Sequence, residues 1–197
     1  SPSGGIGVHE LDSGGNIDLR PNGNIGLANA EAGGSVFVRS TGTLTGNDID
    51  AGSFIDIATT GGISLGDVTA GGDMLFGSNG PIGILSAAAG ETISFETEGT
   101  LSAGNLTAGD SVLGQAMGAI NVGAVSAGIV DQSSNESAEY RVSFASDANI
   151  TTGAVTAAGE IGFGTPGDLQ TGNLDSGGGI MALVGGSIQL PTVDADE

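Results

Sequence analysis

The sequence predicts an all-β fold, a parallel β-solenoid with about 19 residues per coil, three short strands per coil and about ten coils. Three observations predict it. Glycine recurs at a spacing of 19 residues, as Gly14, Gly33, Gly52, Gly71, Gly90, Gly109 and Gly128, and after 11 inserted residues the phase resumes at Ala158 and Gly177. Apolar residues fall into columns at fixed distances from that glycine. Finally, the 39 glycines among 197 residues exclude helix, where each would cost about 1 kcal/mol relative to alanine.

Counting the glycine as position 0, the residue before it is always small: Ser13, Ala32, Ala51, Ala70, Ala89, Ala108, Ala127, Ala157, Ser176 and Ala195. The first strand starts at position 3, with Ile17, Val36, Ile55, Met74, Ile93, Val112, Val142, Ile161 and Ile180, and alternates apolar with polar residues as a half-buried strand does. A second glycine column follows at position 9: Gly23, Gly42, Gly61, Gly80, Gly99, Gly118, Gly167 and Gly186, with Ala148 the one substitute. Both columns are expected to supply corners at positive φ, which glycine adopts without steric cost. The second strand carries the column at position 11: Ile6, Ile25, Leu44, Ile63, Ile82, Leu101, Ile120, Ile150, Leu169 and Ile188. The third carries Leu11, Ala30, Ile49, Val68, Ala87, Leu106, Val125, Val155, Leu174 and Val193 at position 16.

A unit this short cannot bury its own apolar side, so it must stack on copies of itself. Strands about 4.8 Å apart make ten coils a rod roughly 48 Å long. Inside it, Phe76 should stack on Phe95 and Phe144 on Phe163, all at position 5. Phe37, Leu75, Leu113 and Met181, at position 4, should face outward as a broken apolar stripe. The polar insertion at 129–139 reads as a surface loop, and residues 1–197 as one solenoid segment of a longer rod.

Charge narrows the partners. The formal net charge is −20, with no lysine and arginine only at positions 20, 39 and 141. Nucleic acid is excluded, because binding it requires neutralising phosphates. There is no cysteine and no run of 18 apolar residues, so the sequence offers neither a disulfide framework nor a membrane span.

The run "GISLGDVTAG" at 62–71 is one copy of a pattern that covers the chain from about Ile6 to Val193. It resembles the 19-residue repeats of filamentous haemagglutinin-type exoproteins, bacterial surface adhesins exported by two-partner secretion. The resemblance implies a right-handed parallel β-helix, secretion to the bacterial cell surface, and a rod role in adhesion, biofilm matrix or toxin delivery; the unpaired edges of a stacked sheet add fibre formation to the expected roles. Neighbouring coils of the same rod, head-to-tail copies, or a surface receptor or polysaccharide are the partners it implies.

No catalytic constellation is evident, and the chain reads as non-catalytic. The alternative is a carbohydrate-active β-helix, a polysaccharide lyase or glycoside hydrolase working along an acidic face, since paired carboxylates at suitable separation support glycoside cleavage. Among the acids, Asp12, Glu31 and Asp50 share position 17, so stacking brings them to about 5 Å from one another, where like charges repel. Calcium, which takes oxygen ligands in loose geometry, would relieve that repulsion, and these three are the weak candidates for a metal site. A solvated acidic face without cofactor is the simpler reading. His9, the single histidine, falls at a corner and lacks the companions a metal site needs.

Overall fold

The structure is a computed structural model that describes residues 4–128 and 141–195. The expected loop at 129–139 lies outside the described residues. The chain is a parallel β-solenoid of 19 residues per coil. Each strand pairs with its equivalent one coil on, as in Ile6↔Ile25, Ile25↔Leu44 and Leu101↔Ile120, and the register survives the insertion as Ile120↔Ile150.

Two sheets wrap three faces. A nine-stranded sheet is built from positions 3 to 7, for example Val36–Ser40, Ile55–Thr59 and Met74–Ser78, and a fourteen-stranded sheet covers the other two faces. The column of Ile6 is crossed ten times and the opposite sheet nine. The rod therefore makes about nine full turns rather than ten.

The count of three short strands per coil needs a second correction. In the first six coils positions 11 to 18 form one continuous strand of 8 residues, such as Ile63–Ala70. Its burial shows how one strand serves two faces. Ile63, Leu65, Val68 and Ala70 point inward, while the consecutive pair Gly66 and Asp67 both point outward. Strict alternation would turn one of that pair into the core, so the double outward step is the bend. From Ile120–Val122 onward the strand breaks there. At that corner the Gly123 amide divides between the carbonyls of Ala103 (2.9 Å) and Gly104 (3.0 Å), and Gly153 and Gly172 share theirs the same way.

The core is the stacked columns. From Ile25 to Leu169 every member of the position-11 column is buried, whereas Ile6 is half-exposed and Ile188 is 51% exposed. The first and last coils have a neighbour on one side only, so the column does not stay closed to its ends. Phe76 and Phe95 stack with ring centroids 5.2 Å apart, and Phe144 and Phe163 at 6.4 Å. Between these pairs position 5 holds Gly114, and the Phe144 ring fills the space: a Cβ on Gly114 would lie 2.6 Å from that ring.

The corners revise the expected role of glycine. Among the described residues only Gly128 has positive φ, at 72°, where the chain leaves for residue 129. The other column members have ordinary backbone, and all but Gly14 in the first coil are short of room. A Cβ on Gly99 would stand 2.6 Å from the Pro81 amide nitrogen and 2.7 Å from the Gly80 carbonyl carbon; one on Gly61 would stand 2.7 Å from the Gly42 carbonyl. Glycine is required there because the corner sits against the backbone of the preceding coil.

Two polar ladders close these corners. At position 7, two residues past the last inward apolar side chain, the buried hydroxyl of Thr97 donates to the Gly80 carbonyl of the coil before (2.6 Å) and accepts the Gly99 amide of its own corner (3.0 Å). Ser40, Ser78, Ser146 and Thr165 repeat this clamp, and Ser146 keeps it across the insertion, reaching Gly118. At strand entrances, Asn16, Asn24, Asp73, Asn149 and Asp168 each accept the backbone N–H of the residue 19 positions on, at 2.8–3.0 Å. Buried corner amides and carbonyls thus find partners, as burial requires.

Candidate functional site

The position-7 clamps fix the backbone that floors a long concavity on one face of the rod. Because position 7 points inward, positions 6 and 8 point outward on either side of it. Stacked over successive coils they form two parallel walls. The result is a trench of about 930 Å³ that runs along the rod from Ala58 to Leu183. Seven coils line it, a run of roughly 29 Å at the strand spacing of a sheet.

One wall is mostly small, with Ala58, Gly77, Ala145 and Gly164, but carries Glu96 and Gln115 at its middle. The other presents Asn79, Glu98, Met117, Asp147 and Pro166. The acids gather at the centre, small residues flank them on the first wall, and Leu183 stands at that wall's far end. Among the described residues lining it, none is basic. Two arginines stand on the same sheet nearer its start, and both are engaged. Arg20 holds Asp18 through Nε–Oδ1 at 2.8 Å and Nη2–Oδ2 at 3.0 Å, and these hydrogen bonds keep the Asp18 carboxyl below its ordinary value. Arg39 donates to the carboxylate and the carbonyl of Asp56.

The acidic ladder lies on a different face. Asp12 pairs in register with Glu31 and Glu31 with Asp50, so the structure brings the three together along one ladder, all exposed. Glu10, Asp48 and Asp67 run beside them at position 15; the Ser86 hydroxyl donates to Asp67 at 2.6 Å. Among the described residues no group of three His, Cys, Asp or Glu side chains converges as a metal site. His9 is exposed at its corner.

The apolar stripe at position 4 is real in part. Leu75 and Met181 are 45% and 74% exposed. Phe37 is half-covered, because Phe54 from the next coil meets it edge-on with centroids 4.9 Å apart, and Leu113 is half-buried as well.

The trench is the feature that sequence reasoning passed over. Its signal lay in position 6, where Ala58, Gly77, Ala145 and Gly164 interrupt an otherwise long-chain outward column. Small residues beside a hydroxyl column look like punctuation until the stacking shows them as a wall. No protein-family model, no curated protein and no solved structure matches the chain. Its architecture places it among β-helix repeat proteins, as a parallel β-solenoid of about nine turns.

Proposed function

We propose that the chain is a non-catalytic rod segment of a secreted bacterial surface exoprotein, serving adhesion, biofilm matrix or fibre formation. One observation carries the reading. A single 19-residue register, tied between coils by the hydroxyl clamps of Ser40, Ser78, Thr97, Ser146 and Thr165, runs through the described residues and resumes unchanged after the insertion. Such uniformity suits extension, since each coil needs only its neighbours. The filamentous haemagglutinin-type repeat pattern supports the same role. In this reading the partners of each coil are its neighbours in the same rod or in a head-to-tail copy.

Recovery of the parent polypeptide from its source, with intact mass and surface labelling, tests this. A chain much heavier than 18.9 kDa displayed on the bacterial surface is the expected result. A monomer of that mass confined to the cell interior overturns it.

A second reading, a carbohydrate-active solenoid, is favoured by the carboxylates of Glu96, Glu98 and Asp147 along the trench. Release of reducing ends or unsaturated products from a glycan panel would establish it, and their absence would remove it.

A further inference from the structure

We infer that the trench between positions 6 and 8 binds one extended strand of a linear polysaccharide that carries no acidic groups. This needs no catalysis, and a rod lacking glycan affinity would keep its structural role and lose only this site.

The shape calls for an extended, unbranched occupant. The walls come from the same two positions of every coil, so the trench runs straight along the axis for roughly 29 Å. Its step is the coil spacing of about 4.8 Å, close to the length of one pyranose unit in an extended glycan, so successive sugars meet successive coils. A peptide adding as a β-strand would find nothing to pair with. The floor lies on the face of the nine-stranded sheet, where the backbone groups of Thr97 and its neighbours are already committed to adjacent coils. Recognition therefore falls to side chains.

Those side chains are rich in acceptors. Ionised Glu96, Glu98 and Asp147 only accept hydrogen bonds, and Asn79 and Gln115 both accept and donate. Hydroxyl groups, and amino groups where present, are the matching donors. Met117 and Pro166 supply apolar surface between the polar groups for the C–H faces of a sugar. Uronic acids and sulfated sugars are excluded by charge: no basic residue lines the trench among those described, and the chain as a whole carries −20.

Isothermal titration of the 197-residue chain with six-unit oligosaccharides tests the inference. The probes are a β-linked glucan, a glucosamine oligomer, and galacturonate as the acidic control. The glucan or the glucosamine oligomer should bind and galacturonate should not. Gly77→Ile with Gly164→Ile plugs the trench without disturbing the fold, since an added Cβ meets nothing closer than 3.8 Å at Gly77 and nothing within 4 Å at Gly164. This double variant should lose at least tenfold in affinity while melting like the parent. Gly83→Ile, on another face with its nearest neighbour 3.9 Å away, should bind unchanged. Should the plug itself unfold the chain, Glu98→Gln with Asp147→Asn gives the same test, and should weaken binding severalfold. No binding of either non-acidic oligomer at millimolar concentration would overturn the inference. So would galacturonate binding as tightly, equal losses in the plugged and Gly83 variants, or affinity for oligolysine alone.

Discussion

At the scale of single residues, a corner glycine here answers to the coil before it and not to its own dihedral angles. Gly99 and Gly164 separate the two causes. Gly99→Val drives a side chain into the Gly80–Pro81 backbone and should destabilise by about 2 kcal/mol or more, as overpacking against rigid structure does. Gly164→Val faces open space on a strand and should leave stability unchanged or raise it slightly. Urea melts of the two variants check this, and equal midpoints would refute the contact argument. Gly114 makes a sharper case, because its missing side chain is occupied by Phe144. Gly114→Ala should be costly alone and substantially rescued when Phe144→Leu is added, a non-additivity that a double-mutant cycle measures directly. The positions of these glycines were plain in the sequence. Their cause was not, because the distance from one coil to the next is not a property of any local stretch.

At the scale of elements, the strands end where a hydroxyl can tie two coils together. Thr97→Val keeps the shape but strips partners from the Gly80 carbonyl and the Gly99 amide, and should cost about 1–3 kcal/mol. Thr100→Val, three residues on and exposed, should change stability by less than about 0.5 kcal/mol. The alternation at positions 3, 5 and 7 was legible as an inward set, but an inward Ser or Thr reads as a strand end until its partner 17 residues back is known. The acidic ladder is the converse. Asp12, Glu31 and Asp50 were legible as neighbours, and the register confirms that they are. If they form a solvated face, sodium chloride at matched ionic strength should raise the melting temperature as much as calcium, by screening. A calcium-specific rise that disappears when all three become asparagine would instead assign them a bound cation.

At the scale of the whole molecule, the period alone carried the architecture, since every coil repeats one set of inward positions. What it could not carry was the difference between coils. The trench exists because position 6 changes from arginine at Arg20 and Arg39 to small residues and then to Glu96 and Gln115, and such changes are invisible to an argument built on recurrence. The open ends are equally a property of the stack: Ile188 belongs to the same column as Leu169, yet one is 51% exposed and the other 1%. The same coil-by-coil construction explains why the ladder crosses residues 129–140 intact, with Val112↔Val142 in register.

The direction of the ladders has a mechanical consequence. Hydrogen bonds between coils lie along the rod axis, so a pull on the two ends peels a terminal coil from its neighbour bond by bond and frees coils one after another. Each freed coil releases 19 residues, about 65 Å of contour length, and the coil interrupted between Gly128 and Ala158 releases 30, about 100 Å. Optical-tweezers extension should therefore show a staircase of nearly equal steps with a single long one. One continuous rip through the whole chain would mean that the coils fail as a block. A staircase makes the rod a load limiter, yielding by fixed lengths while the coils still stacked keep their grip.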